Sequence, residues 1–337
     1  MSGKLVVAVP DSGPREQALF MEANLMKQEI IIGTRDSQLA MWQARWVLEK
    51  LQKLYPRKRF VLRGMKTRGD HILDVALAKI GDKGLFTKEL ELALSAREID
   101  LAVHSMKDLP TRLPEGLIIG AFCQREYPGD VLISRYGLTL ETLPSGARIG
   151  TSSLRRTAQL LHFRPDLNVT TIRGNLTTRL RKLEELNLDA IILAYAGIHR
   201  LGHDARITQF IPFDICLPAV GQGAIAIEIR ADDPEIQDLI RPLDDPDSRA
   251  TITAERALMR KLEGGCQVPI GALGQIQHNQ LLLEGAVASL DGRQLVRDRI
   301  SGPPNQAEQL GEELAARLIK LGAEEILKKA RQEFDLE

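Results

Sequence analysis

The stretch IIIGTRDSQLAMWQARWVLEKLQKL, residues 30–54, contains the unit from which the fold is predicted. Ile30 to Gly33 form an apolar run of strand length, and Ser37 to Leu54 repeat apolar side chains at helical spacing. The polar turn between them places Arg35 at a strand end, and Ser37 is a suitable helix N-cap. The stretch therefore predicts a β-strand, a polar turn and an α-helix.

The same alternation continues through the first two thirds of the chain. Strands are predicted at 60–65, 101–104, 117–123, 131–134, 148–150, 169–173 and 190–193, and helices at 84–97, from about 153, and at 175–186. Repeated β-α units predict parallel sheets covered by helices on both faces. Residues 249–262 and 306–331 are predicted as helices and 280–299 as a hairpin turning at Asp291-Gly292, which indicates a smaller α+β domain.

The composition limits the classes of function. The chain has 337 residues, of which 44% are hydrophobic, and 45 Lys and Arg balance 45 Asp and Glu. This apolar content is sufficient for two or three globular domains. A neutral chain is a poor candidate for general nucleic-acid or membrane-surface binding, and no apolar run reaches the roughly 18 residues that a membrane span requires. We therefore expect neither nucleic acid nor a membrane as a partner.

The cysteines and the N-terminus bear on the compartment. Cys123, Cys216 and Cys266 form no C-x-x-C pair and are too few for a disulfide framework, which indicates a reducing compartment. Residues 1–28 lack the features of a secretory signal or a transit peptide and are interpreted as a flexible leader. We expect a cytoplasmic location, or the stroma of a plastid if a presequence has been removed.

A basic segment stands out from the neutral chain. Arg148 to Lys182 contain eight basic residues against the single acid Asp166, and seven of the eight are arginines. Arginine binds planar carboxylates and phosphates with two parallel hydrogen bonds. Arg155 and Arg156 closely follow a predicted strand, and ligands of open α/β sheets bind beyond the C-terminal strand ends. The segment indicates an anion-binding cleft, with a solvated basic face as the alternative.

The segment VHSMKDLP, residues 103–110, is the candidate for chemistry because it leaves an apolar strand and ends at a proline. Its polar residues crowd the C-terminal strand end, where ligands of α/β proteins bind. Asp108 can transfer protons there or stabilise a cation, since a close opposite charge contributes about 4 kcal/mol at an intermediate dielectric constant. The alternative is that Asp108 only pairs with Lys107 or caps a turn. His104 is interpreted as a core residue.

Cys266 lies in LEGGCQVP, residues 262–269, where two glycines remove side-chain cover beside the thiol. A lone loop thiol in a reducing compartment is a candidate nucleophile or attachment point. No histidine in the sequence shows an obvious partnership with Cys266, which argues against a Cys-His hydrolase.

Seven ordered motifs resemble those of the porphobilinogen deaminase, or hydroxymethylbilane synthase, family. They are GTRDSQLA at 33–40, KGLFTKEL at 83–90, VHSMKDLP at 103–110, GTSSLRR at 150–156, IRGN at 172–175 with Arg179, AVGQGA at 219–224, and EGGC at 263–266. The resemblance covers the chain from residue 29 onward. It implies an enzyme that joins four porphobilinogens head to tail, with release of ammonia at each step, and then releases hydroxymethylbilane by hydrolysis.

The resemblance also implies which residues act. It implies a dipyrromethane cofactor, bound through a thioether to Cys266, that primes the growing chain, and it places the catalytic aspartate at Asp108. The implied cofactor contacts are Lys83, Ser105, Asp108, Thr151, Ser153, Arg155, Arg156 and Arg173. The implied substrate contacts are Arg35, Ser37, Arg155, Arg173, Arg179 and Arg200. No metal is implied, and a monomer is expected.

For the fold, the resemblance implies two doubly wound α/β domains like those of type II periplasmic binding proteins, with a cleft between them, and a smaller C-terminal α+β domain. Domain 1 is expected at 29–121 and 222–243, domain 2 at 122–221, and domain 3 at 244–337. Two rival classes share such a cleft, a solute-binding protein and a ligand-sensing regulatory domain. Both rivals predict reversible binding without turnover.

Overall fold

The computed structural model of the chain describes residue 27 and residues 29–67, 86–262 and 268–335. Lys83, Cys266 and, apart from Lys27, the 1–28 leader lie outside these described residues. The strands are β1 (Glu29–Arg35), β2 (Arg59–Met65), β3 (Leu101–Ser105), β4 (Leu117–Phe122), β5 (Asp130–Ser134), β6 (Arg148–Gly150), β7 (Asn168–Thr170), β8 (Ala190–Ala194), β9 (Gln209–Phe210), β10 (Ile225–Arg230), β11 (Ile270–Gln277), β12 (Gln280–Ala288) and β13 (Leu295–Gly302).

The helices are α1 (Gln38–Leu54), α2 (Lys88–Ser95), α3 (Leu154–Phe163), α4 (Leu176–Glu185), α5 (Tyr195–Arg200), α6 (Pro234–Ile240), α7 (Pro246–Lys261), α8 (Ala307–Lys320) and α9 (Ala323–Asp335). Within the described ranges, no helix is both long and apolar enough to cross a membrane.

The first sheet has the strand order β2-β1-β3-β10-β4 and is covered on both faces. In β1, Ile30 and Ile32 pack in the cluster that contains Val47 of α1, whereas Ile31 packs in the cluster that contains Leu90 of α2. Because successive side chains of a strand point to opposite faces of the sheet, β1 contributes to the hydrophobic core on each face. β1 is parallel to β2 and β3, as predicted.

The prediction of parallel sheets was wrong for β10, which is antiparallel to both β3 and β4, and for β5 in the second sheet, which is antiparallel to both of its neighbours. The chain reaches β10 after it has passed through the second sheet, so this strand enters the first sheet from the opposite direction. All six of its residues are buried. The acidic segment after it, residues 231–247, contains α6, whose Ile236 and Leu239 pack into the core of the first sheet. The domain boundaries themselves stay a prediction.

The second sheet has the order β7-β6-β8-β5-β9 and repeats the arrangement of the first. β6 is parallel to β7 and β8, and β5 is antiparallel to β8 and β9. Leu160 of α3 packs on one face, and Leu180 and Leu183 of α4 pack on the other. β7 is shorter than the predicted strand, so Arg173 lies in the turn beyond it. The predicted class of two doubly wound α/β units is confirmed.

The third unit is the predicted α+β unit, a three-stranded antiparallel sheet in the order β11-β12-β13 with helices on it. The predicted hairpin turns where Gly292 takes a φ of 72°, a conformation that favours glycine. His162 of α3 lies with its Nδ1 atom 2.8 Å from the carbonyl oxygen of Gly292, so the hairpin tip contacts the second unit. The predicted helix at 306–331 is two helices, separated at Gly322 with a φ of 102°.

The chain crosses twice between the first two sheets, in residues 123–129 and 211–224, and one buried carboxylate binds both crossovers. Glu255 of α7 is fully buried and accepts hydrogen bonds from Arg125 Nη1 at 2.6 Å and Nη2 at 3.2 Å. It also accepts from the backbone N–H of Gly221 and of Gly274, each at 2.7 Å. Glu255 therefore connects both crossovers to the third sheet.

We expect Glu255→Gln to lower the free energy of unfolding by about 3–5 kcal/mol, the usual cost of breaking a buried ion pair. The amide leaves the charge of Arg125 uncompensated and cannot accept all four hydrogen bonds. Denaturant titration followed by circular dichroism measures the loss. The control is Glu313→Gln at an exposed position of α8, expected to change stability by no more than about 0.5 kcal/mol. A loss as small as in this control would contradict the prediction.

Candidate active site

The C-terminal ends of β1 and β3 meet at one edge of the first sheet and form a pocket. Four predicted site residues line it, namely Arg35, Ser37, Ser105 and Asp108. Arg35 ends β1, Ser105 ends β3, and a short 3-10 helix, Met106–Asp108, follows directly. The sheet therefore brings together residues that are about seventy positions apart in the sequence, as expected for neighbouring parallel strands.

Asp108 is half-buried at the end of the 3-10 helix. Among the residues that the structure describes, none forms a hydrogen bond or ion pair with its carboxylate. Its negative charge acts on Lys107 and on Arg179, since it opposes the fall in the pKa of each. The charge of Asp108 therefore reaches the neighbouring Lys107 and also Arg179 of the second α/β unit.

The N-terminal turn of α1 is held by local contacts. Ser37 Oγ accepts a hydrogen bond from the N–H of Ala40 at 3.4 Å, which confirms the N-cap interpretation. The guanidinium of Arg35 lies over the ring of Phe86, 4.3 Å from its centroid. Ser105 Oγ lies 3.0 Å from Nε2 of the buried Gln43, also on α1. These contacts fix the polar groups of the pocket before any ligand binds.

Lys107 was not predicted as a site residue, although it lies next to Asp108 in the same motif. Its pKa is lowered to about 8, mainly by burial; the charges of Arg155 and Arg156 contribute to the fall, and those of Asp108 and Asp130 oppose it. The group is thus electrostatically linked to the second sheet as well as to the first. Near neutral pH it is protonated and adds a positive charge to the site.

We expect kcat/KM for a carboxylate-bearing substrate to decrease as the pH rises through about 8, because Lys107 then loses its proton and its positive charge. Steady-state kinetics across this range measure the alkaline limb. In Lys107→Arg the charge persists, so the limb should move to higher pH. The same alkaline limb in both proteins would assign it to another group.

The second sheet contributes residues at the corresponding edge. Thr151, which follows β6, is almost fully buried, and its Oγ1 accepts a hydrogen bond from the N–H of Ser153 at 3.2 Å. Ser153 occupies the N-cap position of α3 but makes no side-chain cap there. The Ser153 hydroxyl is therefore not used by its own helix.

Arg155 and Arg156 are deeply buried at the start of α3, each with only 4% of its surface exposed. Arg155 Nη1 and Arg156 Nη2 each donate to the carboxylate of Asp130 at 2.7 Å. Burial alone would raise the pKa of Asp130, but the two guanidiniums outweigh it and hold that pKa well below its usual range. Asp130 therefore stays ionised between two arginines, and sequence reasoning missed it.

Arg173, Arg179 and Arg200 complete the predicted arginines. The pKa of Arg179 is lowered to about 10, mainly by burial and also by the charges of Arg156 and Arg173. The charge of Asp108 opposes this fall. Arg179 Nε donates to the carbonyl of Gly174 at 2.8 Å, which orients the side chain. The electrostatic coupling of Arg179 to Asp108 links the second sheet to the pocket of the first.

Arg200 at the end of α5 contacts both helix α1 of the first unit and the second crossover. Its guanidinium lies 5.7 Å from the ring centroid of Trp42 on α1, and Nη2 donates to the carbonyl of Gly223 at 2.6 Å. Thr177 of α4 also donates to Gln38 of α1 at 3.1 Å. The two α/β units thus touch beside the cleft.

The structure confirms the interpretation of His104 as a core residue. Its Nε2 lies 2.9 Å from a carboxylate oxygen of Glu228 in β10, and both side chains are almost fully buried. In the part of the chain that the structure covers, no group of three His, Cys, Asp or Glu residues has the geometry of a metal site.

Two α/β units that meet at an edge with several arginines and one carboxylate form a cleft of the kind that suits an anionic ligand. Residues 30–238 match the family described as porphobilinogen deaminase, dipyromethane cofactor binding domain, and residues 249–320 match the porphobilinogen deaminase C-terminal domain. The chain belongs to the porphobilinogen deaminase family. This assignment confirms the predicted class of enzyme, a transferase of tetrapyrrole biosynthesis, and its dipyrromethane cofactor.

Individual relatives agree with this assignment. The chain is 61% identical over 308 residues to the porphobilinogen deaminase of Pelotomaculum thermopropionicum, covering 91% of this chain and 99% of the relative. It is 61% identical over 306 residues to that of Desulforudis audaxviator, with the same two coverages. Among solved structures, the periplasmic aliphatic sulphonate binding protein SsuA from Escherichia coli aligns over 71% of each chain with 15% identity and a TM-score of 0.39.

Proposed function

We propose that this chain condenses four porphobilinogen molecules head to tail, with release of ammonia at each step, and releases hydroxymethylbilane by hydrolysis. The observation that carries the proposal is the position of Asp108. Its carboxylate lies at the edge where positive side chains of both sheets converge, and the described residues form no hydrogen bond with it. A reactive carboxylate beside a polycarboxylate-binding surface is what this reaction requires.

The arginines fit the substrate because porphobilinogen carries an acetate and a propionate. Each condensation adds two carboxylates, and a charge-assisted hydrogen bond to a carboxylate contributes about 1.5–3 kcal/mol. We assign substrate carboxylates to Arg35, Arg155, Arg173, Arg179 and Arg200, with Ser37 beside them. Arg35 and Arg200 support this role because aromatic rings already hold their guanidiniums, which reduces the entropy lost on binding.

Asp108 has three tasks in this proposal. It assists departure of the substrate amine, stabilises the positive charge that develops on the substrate pyrrole, and helps to remove the proton released when the new carbon-carbon bond has formed. A half-buried carboxylate suits these tasks because its charge is less screened than in water. Its charge interacts with the positive charges of Lys107 and Arg179, one from each α/β unit.

Dipyrromethane, when bound, supplies a pyrrole nucleophile that primes the chain. We propose that Cys266, outside the described residues, attaches it and that Lys83, also outside them, adds a cation. The remaining residues assigned to it are Ser105, Asp108, Thr151, Ser153, Arg155, Arg156 and Arg173. The buried Nε atoms of Arg155 and Arg156 lack hydrogen-bond partners in the described structure. This excess of donors fits a group with several carboxylates.

We also propose that the predicted domain boundaries hold and that the enzyme acts as a monomer in the cytoplasm, or in a plastid stroma if a presequence has been removed. The three sheets support the division, since each has its own hydrophobic clusters. Size-exclusion chromatography with light scattering measures the oligomeric state directly.

Intact-mass spectrometry of the purified chain, combined with a turnover assay on porphobilinogen, tests the proposed function. We expect a covalent adduct of the mass of a dipyrromethane and release of ammonia with linear tetrapyrrole. A solute-binding or ligand-sensing protein would bind porphobilinogen reversibly and consume none. An unmodified chain that is fully active would contradict the assigned cofactor attachment.

A further inference from the structure

We propose that Asp130 is a positioning residue that sets the geometry of Arg155 and Arg156 for binding carboxylates. Asp130 is the first residue of β5 and is completely buried. It does not itself touch the ligand in this proposal, and it acts through the two arginines. The inference rests on the proposed function, because it takes the carboxylates of cofactor and substrate as the ligands of those arginines.

The contacts show how Asp130 fixes both guanidiniums. Oδ2 accepts from Arg155 Nη1 and Oδ1 from Arg156 Nη2, both at 2.7 Å, so one carboxylate is shared between two adjacent side chains of α3. Arg156 Nη1 also donates to the carbonyl of Ile192 at 3.0 Å. With one amino group on a carboxylate and another on a strand, the plane of this guanidinium is set before ligand arrives.

Asp130 also connects the arginines to both crossovers between the sheets. It directly follows the first crossover, and Gln222 in the second crossover donates its Nε2 to Asp130 Oδ1 at 2.9 Å. Arg155 Nη1 donates to the carbonyl of Leu217, also in the second crossover, at 2.7 Å. The arginine pair is therefore held in place by hydrogen bonds to the segments that join the two halves of the cleft.

The charges distinguish this cluster from an ordinary structural ion pair. One carboxylate faces two guanidiniums, so the buried group retains a net positive charge, and Lys107 adds another nearby. A purely structural buried cluster is normally neutral. This cluster is completed when a further anion binds.

Asp130→Asn tests the inference because asparagine has the same shape and lacks the charge. We expect the dipyrrole-loaded fraction, measured by intact mass, to fall and the KM for porphobilinogen to rise about tenfold, because the arginines repel each other and lose their fixed orientation. The matched control is Asp100→Asn. Asp100 is 1% exposed and lies near Arg230, but at the other end of β3 from Asp108. It should lower the unfolding temperature without changing loading or KM.

Asp130→Glu separates positioning from packing. It retains the charge but displaces the carboxylate by one methylene, so loading and KM should lie between those of the wild type and Asp130→Asn. If only the fit of the buried side chain mattered, the larger glutamate would be worse than the isosteric asparagine. Should Asp130→Asn fail to fold, a raised KM in folded Asp130→Glu supports the inference, and a wild-type KM with full loading overturns it.

Two results would overturn the inference and leave the proposed function intact. The first is an Asp130→Asn protein with wild-type loading and KM. The second is a loss of loading in Asp130→Asn and Asp100→Asn that simply follows their losses in unfolding temperature. A wild-type protein with neither adduct nor turnover would instead defeat the proposed function itself.

Discussion

Asp108→Asn should retain the fold and the covalent adduct but lose about a thousandfold in kcat, the middle of the range for a positioned proton-transfer group. The amide keeps the shape of the carboxylate and removes its charge. It can neither accept the proton nor stabilise the cationic pyrrole. Steady-state release of ammonia from porphobilinogen measures the loss, and circular dichroism checks the fold.

Asp232→Asn is the control for this variant, because Asp232 belongs to the same α/β unit and 68% of its side chain is exposed. We expect its kcat to stay within about twofold of the wild type, as is usual for surface substitutions. Near-normal turnover of Asp108→Asn would reject the catalytic role of Asp108. A loss of fold rather than of turnover would instead reveal a structural role.

Cys266→Ser should purify without the dipyrrole adduct and show no measurable turnover. A serine hydroxyl is far less acidic than a thiol, so it does not provide the nucleophile from which the linkage forms. Intact-mass spectrometry of the variant, before and after incubation with porphobilinogen, measures the adduct directly.

The other two cysteines provide the control. Burial raises the pKa of Cys123 and of Cys216 to about 12, so neither supplies an appreciable thiolate near neutral pH. Cys123→Ala should therefore keep both the adduct and turnover. An adduct that persists in Cys266→Ser would place the attachment elsewhere in the chain.

The local fold could be predicted from caps, turns and apolar periodicity in the sequence. Ser37 caps α1, Asp291-Gly292 turns the hairpin, and apolar periodicity locates most strands of the two α/β units. The antiparallel entry of β10 could not be predicted in this way. Its segment, IAIEIR, has no local mark of direction, and its buried Glu228 interrupts an otherwise apolar strand. Direction is decided by the return of the chain from the second sheet.

The part of the candidate site that lies in the sequence motifs could be predicted. Arg35, Ser105 and Asp108 stand at strand ends, and the structure gathers them in one pocket. Their partners were not predictable, because Asp130 lies 25 residues from Arg155 and only the fold brings them together. An acid directly before the apolar run of β5 was the single local signal for it.

The insertion of β10 between β3 and β4 also fixes the order in which the chain can complete its sheets during synthesis. The first sheet needs residues up to Arg230, whereas every strand of the second lies between Asp130 and Phe210. Domains usually fold from the N-terminus as the ribosome releases them. Here the second sheet is the first that the nascent chain can complete. The N-terminal strands can form a complete first sheet only after β10 has been synthesised.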